Sequence, residues 1–348
     1  MRPALWSVFI QACGSAATFA AALLVSHRLG LAAQGEFGLL RSWLDAGVTL
    51  AVLGFPQALL HLQYREAVPV AALQRWVLSC IAVLFTLCAL SIVAVWQWWP
   101  PLPEHLPRAT VLVALAAVPF AAAHQLWRAL ALREVGVVPY AVMTAAPSLM
   151  ILLGLVPVCL AGSRSGLAWA LFGSAFISAL GSGWLVRRGA RRPTHCAVGP
   201  APLPVPWSRR VLWSIGLETG CQNVLTALTP AAVLTMAGAL GGSLAQVGSV
   251  SLGLHVYLLF GVAASYVAPI VYDRAARVTE PMDIRALVRF LRGRTTTQVL
   301  LGTAGLAVLA VVLLLWLWPA GPAPALLVAA MALAGVLSMA VRLLVTLL

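Results

Sequence analysis

The chain has 348 residues, 62% hydrophobic and only 9% charged, with a mean hydropathy of +0.97. That composition excludes an ordinary soluble domain and points to an all-α integral membrane protein. Its net charge of +13 comes from 22 arginines set against nine acidic residues, a balance that topology and anionic lipid headgroups explain, with no folded basic domain to carry nucleic acid.

Ten apolar runs of about 20 residues fit the hydrocarbon slab. They lie near residues 4–27, 36–62, 73–99, 109–130, 137–160, 166–187, 211–237, 246–271, 295–318 and 324–347. The first begins with LWSVFIQACG, Leu5 to Gly14, and carries Ser7, Gln11, Ser15 and Thr18 at helical spacing. It is too long and too polar for a secretory leader and reads as a spanning helix.

The second run holds Glu36, Arg41 and Asp45, with Gly38, Ser42 and Thr49 extending the same stripe. Asp45 then falls roughly 13 Å into the membrane, near its midplane. Trp96, Trp98 and Trp99 precede Pro100 at the end of the third run, where Trp serves first as an interfacial anchor and alternatively as a sugar-stacking surface. Pro119, Pro147 and Pro157 predict bends in the next runs.

After the sixth run, the stretch from Arg187 to Arg210 is rich in Arg and Pro and lacks apolar periodicity, so it reads as a cytoplasmic linker. The seventh run then opens with LWSIGLETGC, Leu212 to Cys221, a second copy of the first motif. Later landmarks recur in order: AAQGEFG at Ala32 is echoed by LAQVGSV at Leu244, Pro56 by Pro269, and the Trp cluster by Trp316 and Trp318 before Pro319. Recurrence at this period predicts duplicated units: a six-helix lobe over 1–187, a linker over 188–210 and a shortened four-helix lobe over 211–348.

An even number of spans in the first unit makes the copies parallel repeats around a central cavity. Most arginines alternate with nearly empty loops, the sparse side holding only Arg28, Arg108 and Arg164, so the positive-inside rule puts both termini in the cytoplasm.

The repeat pairs Ser7 with Ser214, Gln11 with Glu218 and Ser15 with Gln222, giving two polar faces that could line a hydrated path. Interhelical hydrogen bonding is the simpler role for the Ser and Thr positions. Glu218 stands apart, because a carboxylate in the membrane is costly and marks function by default. Arg41 and Asp45 are one turn apart and can pair internally; alternatively Arg41 offers a guanidinium that grips phosphate in bidentate fashion. His255 could couple transport to protons, or simply pack through a hydrogen bond. Pro230 marks a bend or a hinge.

The candidate substrate contacts are therefore Arg41, Gln11, Ser15 and Gln222, and the candidate coupling groups Asp45, Glu218 and His255. The six cysteines have no paired or ligand spacing, and no catalytic constellation, metal site or cofactor loop is recognisable, so no enzyme activity is expected.

The runs from Ser26 to Leu62, His124 to Val142 and Leu244 to Ala276 resemble polysaccharide-type flippases of the multidrug/oligosaccharidyl-lipid/polysaccharide exporter superfamily, which include the O-antigen flippases. The resemblance implies two helical lobes in a V, a cavity lined by the first two helices of each, and alternating access, often cation-coupled. It also implies a lipid-linked glycan, carried on undecaprenyl diphosphate across the bacterial inner membrane for lipopolysaccharide or other surface polysaccharide. Family members have twelve or fourteen helices, against ten here. A multidrug antiporter of the same superfamily, or a non-transporting scaffold for polysaccharide-synthesis enzymes, is the alternative.

Overall fold

A computed structural model describes residues 2–64, 68, 70–98, 106–190, 209–240, 243–258, 331, 334 and 335. The expected spans at 295–318 and, nearly entirely, 324–347 lie outside the described residues, as do most of the linker, Pro269, Trp316 and Trp318. Every described element is helical: α1 (Arg2–Leu29), α2 (Leu31–Val52), α3 (Phe55–Tyr64), α4 (Val70–Trp98), α5 (Arg108–Glu134), α6 (Val137–Leu160), α7 (Gly166–Ala190), α8 (Arg209–Ala239) and α9 (Leu244–Leu258).

Five of these, α1, α4, α5, α6 and α7, are long and apolar enough to cross a membrane, and the bent pair of α2 and α3 makes a sixth. The chain is thus a helical membrane protein. At 31 residues α8 has the length, but Glu218, Gln222 and Asn223 dilute its hydropathy.

Single glycines make two of the reversals. Gly30 (φ 85°) joins α1 to α2 and Gly136 (φ 97°) joins α5 to α6, and neither would meet any neighbour through a Cβ. Positive φ, rather than space, therefore requires glycine there.

The span expected at 36–62 is broken. Leu53 adopts φ 45°, its N–H closes α2 on the Thr49 carbonyl at 2.8 Å, and α3 leaves at 47° to α2. Pro56 in the first turn of α3 suits such a start, since its missing N–H has no intrahelical partner at that position. An apolar run cannot signal a bend set by one backbone angle, which is why the sequence reads as continuous.

At the centre of the described bundle, α5 packs on α2, α3, α4, α6 and α7. Its buried surface is rich in alanine (Ala114, Ala117, Ala122, Ala123, Ala129), and small residues let helices approach closely where lipid offers no hydrophobic drive for association. Helix α1 lies mainly on α6, with Gly14 against Ala145 and Thr18 Oγ1 donating to Ser148 Oγ at 2.8 Å. By contrast, α4 exposes Val83, Leu87, Leu90 and Val93, as a lipid-facing helix does.

Two glycine seams join the region before residue 190 to the region after 209. In the first, α2 meets α9 so closely that a Cβ on Gly35 would overlap the Leu244 carbonyl oxygen and one on Gly248 would overlap that of Leu31, while Gly38 abuts Ser251. The spacing that takes Pro56 to Pro269 also takes Leu31 to Leu244, Gly35 to Gly248 and Gly38 to Ser251. Equivalent residues therefore meet reciprocally, the contact pattern of a two-fold interface.

In the second seam the N–H of Gly54 donates to the Gly216 carbonyl at 3.0 Å, and Gly220 lies against Leu53 and Gly54. Phe55 sits edge-on between Trp76 and Trp213, with ring centroids 5.2 and 4.9 Å away. Only glycine allows such backbone approach, so these contacts fix where α8 and α9 lie against α2 and α3.

Candidate substrate cavity

Between the two seams lies a cavity of about 340 Å³. On α2 its lining falls at Gly38, Arg41, Ser42, Asp45, Thr49 and Val52, a recurrence every three or four residues, with Arg41 and Ser42 side by side, that describes one helix face. Helix α8 contributes Asn223, Ala227, Pro230 and Leu234 with the same periodicity, and α9 contributes Ser251, Leu254, His255 and Leu258. Leu53, Pro56, Gln57 and Gln125 also line it. Pro230 lacks the N–H that would bond the carbonyl of residue 226, so α8 carries a break in its ladder at the cavity wall.

Two of the three charged groups expected on α2, Arg41 and Asp45, come together here. Arg41 Nε lies 3.8 Å from Asp45 Oδ2, one turn on. The arginine side chain is only 18% exposed whereas that of Asp45 is 66% exposed, so the cation is embedded in the wall and the carboxylate stands in the open space. Arg41 Nη1 is buried with no hydrogen-bond partner among the described residues. A buried guanidinium nitrogen left unsatisfied is costly, and Arg41 lines the cavity.

His255 is buried, and its Nδ1 donates to the Ser251 carbonyl at 2.7 Å, the direction being fixed because a carbonyl only accepts. Ser251 Oγ in turn accepts from Gln34 Nε2 at 3.3 Å, which ties the seam to the cavity.

Other candidates lie elsewhere. Gln11 is buried in α1 and donates from Nε2 to Ser7 Oγ at 3.2 Å. Ser15 is half-buried on the same helix, already engaged, and neither residue lines the cavity. Glu218 is exposed on α8 and is absent from the cavity wall; the side chain of Gln222 lies outside the described residues.

Helix α1 packs mainly on α6, whereas α8 packs on α2 and α3. Glu36 is likewise buried away from the cavity, unlike the other members of its stripe.

Sequence reasoning missed Gln57, Gln125, Asn223 and Ser251. Carrying the repeat one helix further would have flagged Ser251 as the counterpart of Gly38. Nothing local marks Gln57 or Gln125, whose relevance arises only from the bend at Leu53 and the position of α5. Comparison with known protein families, curated proteins and solved structures found no match.

Proposed function

We propose that the chain is a flippase that moves a polyprenyl-diphosphate-linked oligosaccharide across the bacterial inner membrane by alternating access, for surface polysaccharide synthesis. The observation that carries this reading is Arg41: a cation embedded in the wall of a largely apolar cavity, with an unpartnered buried nitrogen. Guanidinium binds diphosphate oxygens bidentately, and insertion of such a charge is too costly to keep without use. Asp45, exposed in the same cavity, is the coupling group, with His255 in the wall of that cavity.

Ten spans in two parallel lobes, with both termini in the cytoplasm, form the accompanying layout. Reciprocal contact of Gly35 with Leu244 and of Gly248 with Leu31 supports it, since parallel repeats around an axis along the membrane normal would juxtapose equivalent helices in this way. The cavity then lies between the lobes and each glycine seam closes one end.

Purified protein in liposomes should reorient a polyprenyl-diphosphate sugar, and Arg41→Ala should slow this at least tenfold. Absence of reorientation by the intact chain would sink the proposal. Accumulation of cationic dyes instead would favour an organic-cation antiporter acting through Asp45, and co-purification of glycosyltransferases without lipid movement would favour a scaffold.

A further inference from the structure

The cavity has two chemically distinct ends. Helix α8 runs antiparallel to α2: Leu234 lies by Gly38, Trp43 Nε1 donates to Thr235 Oγ1 at 2.9 Å, and Gly216 and Gly220 lie by Gly54. Asn223, one turn from Gly220, therefore sits at the Gly54 end. Gln57 follows Gly54 by one turn of α3, its N–H bonded to the Gly54 carbonyl at 3.1 Å. Helix α5 is pinned to α2 where Val118 meets Gly47 and to α3 where Arg133 donates to the Gln63 carbonyl. Gln125 falls between those pins, again at the Gly54 end.

Arg41, Ser251 and His255 occupy the opposite end, and Arg41 and Val52 are separated by about 16 Å of helix rise. Asp45 and Thr49 lie between.

Three carboxamides from three different helices thus converge where no cation does among the described residues. None of the three makes a side-chain hydrogen bond to another described residue. A carboxamide carries two donors and an acceptor without net charge. It suits a ligand bearing adjacent hydroxyls, each both donor and acceptor, and brings no net charge to favour a phosphate or a cation.

We propose that Gln57, Gln125 and Asn223 form a subsite for an uncharged sugar ring attached to the anion held by Arg41, and that Asp45 rejects rings bearing a carboxylate. This rests on the flippase reading for the anion but not for the subsite itself. Like charge facing a carboxylate in a partly desolvated cavity is repulsive, and hydrogen-bonding groups left unpaired by a sugar-free ligand supply the positive selection.

The test uses the full chain in phospholipid nanodiscs free of glycoside detergent, with dissociation constants read by native mass spectrometry. The probes are a short-chain prenyl diphosphate, its N-acetylhexosamine and hexuronate conjugates, a prenyl hexoside and the free prenol. In the wild type the neutral sugar should tighten binding about tenfold over the bare diphosphate, and the hexuronate should give no gain.

The sugar-to-bare ratio, taken within each variant, should fall towards one in Gln57→Leu, Gln125→Met and Asn223→Leu, while Asp45→Asn should admit the hexuronate. Because each ratio is internal, a variant that folds poorly is replaced by Asn223→Asp without loss of the readout. Tight diphosphate binding with a wild-type ratio of one, or ratios unchanged in all three carboxamide variants, overturns the subsite and leaves the flippase reading standing. If no diphosphate binds but the hexoside still outcompetes prenol in the wild type and not in Asn223→Leu, the subsite stands and the anion reading falls.

Discussion

Arg41 and Asp45 illustrate how little of a membrane ion pair's meaning lies in the pairing itself. At 3.8 Å, with the carboxylate two-thirds exposed, the contact contributes less than about 1 kcal/mol to stability. Removing Asp45 should therefore leave the protein folded: Asp45→Asn is expected to shift the melting temperature by no more than about 2–4 °C while tightening inorganic pyrophosphate binding severalfold, since the competing anion is gone. A large loss of thermal stability, or weaker pyrophosphate binding, would show that the pair is structural. Arg41→Lys separates charge from geometry. Lysine keeps the charge but not the planar fork, so diphosphate affinity should fall further than monophosphate affinity when both are titrated.

Among the elements, the glycine seams make the sharpest demands. Gly35→Ala places a methyl on the Leu244 carbonyl and Gly54→Ala places one on Thr219 and Gly216; neither backbone can yield cheaply, so each should cost about 1–3 kcal/mol. Gly173→Ala in α7 meets nothing within 4 Å and should be neutral or stabilising by up to about 1 kcal/mol. Thermal denaturation in one detergent compares the three, and equal effects would refute the seams. A milder probe is the Trp43 to Thr235 hydrogen bond at 2.9 Å, for which a double-mutant cycle with Trp43→Phe and Thr235→Val should give about 0.6 kcal/mol of coupling.

The stripe Gly38, Arg41, Ser42, Asp45, Thr49 was legible in the sequence because helical period alone puts those residues on one face. Which helix that face meets was not legible: the fit of Gly35 to Gly248 and of Gly54 to Gly220 depends on backbone approach between distant segments. The polar faces of α1 and α8 were legible in the same way, but periodicity reports a face, not its neighbour. Gln11 turned out to be bonded within α1, whereas α8 brings Asn223 to the cavity in place of Glu218.

For the whole molecule, the two ends of the bundle differ in charge and in how that charge is held. Arg187 lies over Trp127 at 5.9 Å, Arg188 over Trp184 at 5.0 Å and Arg128 over Tyr140 at 5.7 Å, all near the junctions where α5 ends, α6 begins and α7 ends. Arg133 caps the end of α3 at the same level. Stacked guanidinium groups keep their charge while ordering the aromatic rings that anchor an interface, so this end suits the anionic cytoplasmic leaflet. Arg28, Arg108 and Arg164 lie at the opposite end, with the Gly35 seam.

Orientation decides which seam the substrate would pass first, since a cytoplasmic arginine-rich end makes the Gly54 and Gly220 contact the inner closure and the Gly35 and Gly248 contact the outer one. Thiol labelling resolves it. In a background with the six native cysteines replaced, Ser165→Cys, exposed between α6 and α7, should react with a membrane-impermeant maleimide in intact spheroplasts. Arg188→Cys, exposed at the arginine-rich end, should react only after permeabilisation. The reverse pattern would invert the protein in the membrane and exchange the roles of the two seams, leaving the carboxamide end of the cavity facing outward, where a cytoplasmic sugar lipid would reach it last.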